Sequence, residues 1–526
     1  MCVYNGLVSV LDVLKPHSAF NAEYNSQERQ DSQHTSICEP GTREHVINEM
    51  LAWAGNEDDH TPPICWLYGP AGTGKSSVVH TIAEICTAKG WLVLTFFFSR
   101  GRVDRNAMTK LFTTLAYQLA VSKALSAGQK SIGQAIQDDP RVLTANFETQ
   151  FHKFIADPIM ADTQSAPQII IIIDGVDECD SFAHQTLLVK LLVKMAPRLS
   201  PHARFLVTSR PEEQITSAFH VPAAQNITKC MSLHDFNAEN DIRHVCHARF
   251  AEIAGRDDWK KVTPKTWPSD AEIEQVVQRS QRIFIYISTL LRFVEEGDKL
   301  PQEKLQDALQ AHARLDGIYH QVLKLAQGKH LQLVMSSIIL LVEPLTIVEL
   351  GKFLDLTPAT IRVALRGTAS ILNIPADDNQ AVLPYHASLG DFVKDRTRSK
   401  PHFSSLSEQH EVILKHCIQH VTTAMENPEA HGIYPKAIMY ACWHWSNHLA
   451  ALLTSSDELT NITAYDIQLL KGFVLRIGQK WLRQWLYSLY DVFDGRSLVA
   501  TNLANLEKAY EKLKVYTSTY YHIILI

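Results

Sequence analysis

The chain is 526 residues long, 46% hydrophobic and 20% charged, with a formal net charge of −6. That length exceeds a single hydrophobic core and calls for about three or four domains. The charge balance lacks the basic footprint of proteins that bind nucleic acid or anionic membrane. Nine cysteines without CxxC pairs or regular spacing suggest neither a zinc site nor a disulfide framework, and no basic leader or bilayer-length apolar run is present, so a cytoplasmic protein away from membranes is expected.

Residues 1–40 open with a short amphipathic piece and continue into NAEYNSQERQDSQHTS, polar enough to read as a linker or tail. From Gly41 a helix carrying Val46, Ile47, Met50, Leu51 and Trp53 leads into a turn-rich loop, Asn56–Pro63. The next stretch, ICWLYGPAGTGKSS (Ile64–Ser77), supplies a strand, a glycine-rich loop and a helix start. Gly69, Gly74, Lys75 and Ser76 satisfy GxxxxGK[ST], and Val78, Val79, Ile82 and Ile85 continue as an amphipathic helix. In such a loop, Gly69, Pro70, Ala71, Gly72, Thr73 and Gly74 wrap the backbone so that N–H groups point inward. Lys75, Ser76 and Ser77 open the helix, whose positive dipole end faces the same point. The pattern predicts a nucleoside triphosphate site, with Lys75 on the β and γ phosphates and Ser76 on Mg²⁺.

A strand-like run follows at Trp91–Phe98 and a helix pattern at Asn106–Val121; this alternation predicts a parallel sheet covered on both faces. Five consecutive isoleucines, Ile169–Ile173, form a buried strand that ends in DGVDECD. Asp174 then sits at the carboxyl end of a parallel strand, where a carboxylate holds Mg²⁺, while Asp177 or Glu178 orients an attacking water; spacing does not choose between these two. A further strand, Arg204–Thr208, ends in Ser209, Arg210 and Pro211. It places the Arg210 guanidinium, a fixed charge with a donor fork, at the same edge as a γ-phosphate sensor. Beyond Ile227 the pattern is helical, with runs at Asp235–Ile253 and Ala271–Glu296. The aromatic stretches Tyr440–Leu449 and Trp481–Phe493 read as helix core. No self-similarity at solenoid or propeller periods is visible.

Together PGTR (Pro40–Arg43), WLYGPAGTGKSS, FFFSR (Phe96–Arg100), LAYQLA (Leu115–Ala120), QFHKFIADPI (Gln150–Ile159), DGVDEC and FLVTSRPE resemble the NACHT domain of fungal signal-transducing NTPases, STAND-class relatives of the NOD-like receptors. The resemblance implies an α/β P-loop NTPase domain followed by α-helical, winged-helix and second α-helical domains. The boundaries it implies are a tail at 1–40, the nucleotide domain at 41–225, helices at 226–315, a winged helix at 316–400 and helices at 401–526. It further implies a signalling switch in which ADP locks a closed form and ATP, with Mg²⁺, opens it for self-association, with slow hydrolysis. Thr42 and Arg43 fall where the family contacts adenine, and His386, in HASLGDF, where a histidine reaches the β-phosphate of ADP. Arg282 stands where glycine is usual. Effector and sensor partners are implied but not identified by any residue, and the ending YYHIILI without C-terminal repeats suggests a truncated product. The competing expectations are a constitutive P-loop ATPase working on protein or nucleic acid, and a scaffold that nucleotide merely stabilises.

Overall fold

The computed structural model describes residues 9–454 apart from 27–36, 162–166, 311–314, 427–435 and positions 57, 59, 101, 103, 123, 265, 297, 298 and 327. The chain divides into two units, Met1–Leu291 with Leu300–Gln302, and Arg292–Lys299 with Glu303–Ile526.

The first unit is built on five parallel strands, β1 (Ile64–Tyr68), β2 (Leu92–Phe97), β3 (Ile169–Asp174), β4 (Ala203–Ser209) and β5 (Thr228–Ser232), in the order β2-β3-β4-β1-β5. The isoleucine run works because both faces of the sheet are covered. Ile169, Ile171 and Ile173 join one core with Phe112, Leu115, Leu188 and Leu192, while Ile170 and Ile172 join the other with Val46, Val78, Val79 and Ile82. A strand alternates its side chains, so a fully apolar run suits only a strand buried on both sides, where each isoleucine contributes about 1.5–3 kcal/mol. The helices Leu111–Val121 and Phe182–Leu199 supply the first layer, and Glu44–Ala54 and Lys75–Ala88 the second. This is an α/β P-loop NTPase fold.

Three expectations change in this unit. Part of the 1–40 tail is folded: Leu14, Ala19 and Ala22 are fully or almost fully buried in the core. The Tyr24 N–H donates to Thr95 Oγ1 (3.0 Å) and the Ala19 N–H to Thr114 Oγ1 (2.9 Å), so the segment docks on both β2 and the Leu111–Val121 helix. The sheet also runs past residue 225, because β5 pairs along the whole of β1. Finally, the helix expected over Ala271–Glu296 is two helices, Asp270–Ser280 and Phe284–Glu295. Gln281 (φ 49°) and Arg282 (φ 66°) both adopt left-handed backbone between them, a conformation that interrupts any right-handed helix.

In the second unit, the helices Leu331–Leu340, Ile347–Leu354 and Pro358–Ala364 are followed by an antiparallel ribbon, β6 (Leu372–Asn373) and β7 (Leu383–Pro384). Helix Ala387–Lys394 comes next, completing the winged-helix element. Thr346 and Glu349 form a capping box that starts its central helix. Helices Leu406–Glu426 and Lys436–Thr454 then pack on each other; Trp481–Phe493 lies outside the described residues. Among the described residues, no helix is long and apolar enough to cross a membrane.

Candidate nucleotide site

Every strand of a parallel sheet points its carboxyl end the same way, so the loops after β1, β3 and β4 converge. The β1 loop turns at Gly72 (φ 76°) and Gly74 (φ 93°), conformations that side chains with a Cβ rarely adopt, and Gly74 caps the Lys75–Ala88 helix. Lys75 Nζ folds back onto the carbonyls of Gly69 (2.8 Å) and Pro70 (2.9 Å), and Thr73 Oγ1 also donates to the Pro70 carbonyl (2.9 Å). Burial lowers the Lys75 ammonium pKa, while Asp177 and Asp174 favour its charged form.

Ser76 Oγ donates to Asp174 Oδ2 (2.7 Å), joining the residues expected to hold Mg²⁺. The buried Asp174 carboxylate also receives Thr208 Oγ1 on Oδ1 (2.5 Å), and Thr208 accepts the Gly175 N–H (2.9 Å). One hydroxyl and one carboxylate oxygen side by side fit Mg²⁺, which prefers hard oxygen ligands and retains several waters. Asp177 and Glu178 differ in their partners. Asp177 is buried and accepts the Arg210 N–H on Oδ1 (2.9 Å), with Arg210 Nε 3.2 Å from Oδ2. Glu178 accepts the Arg100 N–H on Oε2 (3.0 Å), and its carboxyl is pushed up to about 7 by burial, with the charges of Asp177 and Asp174 adding to the shift.

The expected adenine contacts are engaged within the protein. Thr42 Oγ1 donates to the Glu39 carbonyl (2.6 Å). Arg43 is 5% exposed, stands at φ 57°, donates from Nη2 to the Thr73 carbonyl (2.9 Å) and lies over the Phe284 ring (4.8 Å). Its backbone N–H reaches Asp241 (3.1 Å). Arg43 therefore braces the phosphate loop. Ala71 lies in the turn before Gly72, and Ser77, in the first turn of the helix, offers its carbonyl to Thr81 Oγ1 (2.8 Å). His386 belongs to the second unit, where Nδ1 accepts the Ser388 N–H (3.1 Å) and caps the Ala387–Lys394 helix.

Spacing did not reveal three functional neighbours. Thr208 positions Asp174, and Arg100, inside FFFSR, holds Glu178 and donates Nη2 to the Asp177 carbonyl (2.9 Å). The third is the start of the Phe284–Glu295 helix: the Ile285 N–H donates to the Gly72 carbonyl (3.1 Å), and a Cβ added at Gly72 would meet Ile285 and Ile283. The only sequence signal for it was the apolar run after Arg282.

Fold and site thus define the class as a P-loop NTPase-fold protein. Residues 41–210 match the family model described as Nephrocystin 3, N-terminal. No curated protein sequence matches the chain. Among solved structures it is similar to Cdc6p from Pyrobaculum aerophilum, at 11% identity and TM-score 0.33, over 73% of this chain and 96% of that one. Aeropyrum pernix Orc1 in complex with DNA is similar at 12% identity and TM-score 0.30, over 73% and 96%. Drosophila ORC bound to AT-rich DNA and Cdc6 follows at 11% identity and TM-score 0.25, over 99% and 77%. Likenesses this weak leave the function to be argued from the site.

Proposed function

We propose that the protein is a nucleotide-dependent signalling switch of the NACHT type. It binds ATP or ADP with Mg²⁺ and couples exchange or slow hydrolysis to opening and self-association. The observation that carries the reading is the Ile285 N–H on the Gly72 carbonyl, reinforced by Arg43 bridging Thr73 and Phe284. Wrapping phosphate rearranges the backbone of residues 69–74, and the helix beginning at Phe284 is bonded to that backbone.

In this reading the Lys75 ammonium exchanges the Gly69 and Pro70 carbonyls for phosphate oxygens. Ser76 and Asp174 hold Mg²⁺, which when bound neutralises charge on the β and γ phosphates. Glu178 is favoured over Asp177 for orienting water, because Asp177 is paired with Arg210, whereas Glu178 titrates near neutrality. Arg210 senses the γ-phosphate by exchanging part of its bond to Asp177 for the ligand. By the resemblance, His386 contacts the ADP β-phosphate in the closed form. Driving such a switch from 1:99 to 99:1 takes about 5.5 kcal/mol of differential binding.

The test is to purify the full chain without added nucleotide, denature it and identify what is released. Stoichiometric ADP supports the switch, and Lys75→Ala should then release none. ADP still copurifying with Lys75→Ala refutes the site, and fast steady-state turnover by a nucleotide-free protein refutes the switch.

A further inference from the structure

We propose that Cys179, Asp180 and His184 form a binding site for one divalent transition-metal ion of the zinc class, separate from the Ser76–Asp174 pair. The three residues come from the turn leaving β3 and the first turn of the Phe182–Leu199 helix. Their ligand atoms all lie within 4.8 Å of one another. The site is graded from inside to outside, with Cys179 buried, His184 half-buried and Asp180 exposed, so an ion can enter from solvent and reach the sulfur.

One observation beyond proximity points to a cation. His184 Nδ1 is buried without a hydrogen-bond partner among the described residues, although its ring is held edge-on against Phe147 at 5.3 Å. A buried polar nitrogen costs free energy unless something occupies its lone pair or proton. Burial pushes the Cys179 thiol up to about 11, the backbone N–H groups of Ser181, Met108 and Asp180 offsetting part of that rise, so the sulfur is a thiol that yields its proton only to an incoming cation. Thiolate, imidazole and one carboxylate form a mixed soft and borderline donor set that suits Zn²⁺ or Co²⁺, not Mg²⁺, and three protein ligands leave one position for water. On binding, the sulfur forms a bond to the ion and its proton leaves to solvent. The chain signalled no such site because a single cysteine in CDSFAH matches no paired spacing. Since Cys179 follows Glu178, the ion would tie the acidic turn to the helix beside the nucleotide.

The full chain, stripped of metal with chelator and exchanged into Mg²⁺-containing buffer, is titrated with Co²⁺ as the spectroscopic probe. One equivalent should give a thiolate-to-cobalt charge-transfer band with visible bands of low-coordinate cobalt. Cys179→Ser should abolish the charge-transfer band and Cys230→Ser should retain it. Asp180→Asn, at an exposed position that leaves folding intact, should weaken binding at least about tenfold, the lower end for losing even an outer-shell partner. Absence of the band in the wild-type chain, its survival in Cys179→Ser, or unchanged affinity in Asp180→Asn would overturn the assignment. Each outcome is independent of whether ADP copurifies.

Discussion

Gly72→Ala tests the coupling between the phosphate loop and the helix most directly. Gly72 has φ 76°, and a Cβ there would lie 2.9 Å from Ile285 Cβ and 3.1 Å from Ile283 Cγ2, with Ile285 Cγ2 closer still. Left-handed backbone costs a non-glycine residue about 1–2 kcal/mol, and forcing a methyl into packed surroundings costs about 1–3 kcal/mol more, so roughly 2–5 kcal/mol is expected in all. Gly90→Ala is the internal control: φ is 80° and no atom lies within 4 Å of the added Cβ, which leaves the backbone cost of about 1–2 kcal/mol alone. Hydrogen exchange of the 64–77 and 284–295 peptides, read as local opening free energy, should show a larger loss for Gly72→Ala at both peptides. Combining it with Ile285→Ala should recover part of that loss through non-additivity. A Gly72→Ala protein no more exposed than Gly90→Ala, or one that loosens only the 64–77 peptide, would refute the coupling.

Thr208→Val removes the hydroxyl that bridges Asp174 and Gly175 at a fully buried position. A stability loss of about 1–3 kcal/mol and weaker Mg²⁺-dependent nucleotide binding are expected by denaturation and titration. The Glu178 carboxyl, raised to about 7, is protonated below that pH, so hydrolysis should rise with pH through about 7. Glu178→Gln should bind nucleotide yet hydrolyse none, and a flat pH profile in the wild type would remove Glu178 from the role. In the second unit, His410 Nδ1 meets His448 Nδ1 at 3.0 Å, while Tyr440 Oη lies 2.8 Å from His448 Nε2. Burial, with a lesser contribution from Lys394, lowers His410 to about 4, and burial, with His410 and His444 adding to it, holds His448 well below the usual imidazole range. The unfolded chain takes up the His410 proton near 6.5 and the folded chain only near 4, so this stability contribution is complete above pH 6.5 and is lost as pH falls toward 4, and the lowered His448 acts in the same direction. His410 alone accounts for about 3 kcal/mol of this, and His410→Gln should lessen the fall in melting temperature across that window in calorimetry.

The phosphate loop, the acid after the isoleucine strand and Arg210 after β4 were legible in the chain because each is a contiguous pattern whose chemistry depends on its own neighbours. The docked N-terminal segment was not. It holds to β2 and the Leu111–Val121 helix through a few apolar residues and through hydrogen bonds to Thr95 and Thr114, about 70 to 95 positions away, so its polar composition reads as a linker. The strand β5 was hidden for a related reason. Its residues, TKCMS, lack an apolar run, and pairing with β1 along its full length makes it a strand.

The sequence by itself marked the candidate nucleotide site, since one glycine-rich loop, one lysine and one acidic strand end carry the pattern of phosphate and metal chemistry locally. Only the tertiary structure decided which groups act together there. The order β2-β3-β4-β1-β5 puts β4 between the loop strand and the acidic strand and brings Thr208 to Asp174 and Arg210 to Asp177. The break at Gln281 and Arg282 turns Ile285 onto Gly72. Hydrophobic periodicity records that a face is buried but not against what. Pairings across tens to hundreds of residues follow from which buried surfaces and hydrogen-bond donors can be satisfied together, a condition no local stretch of chain contains.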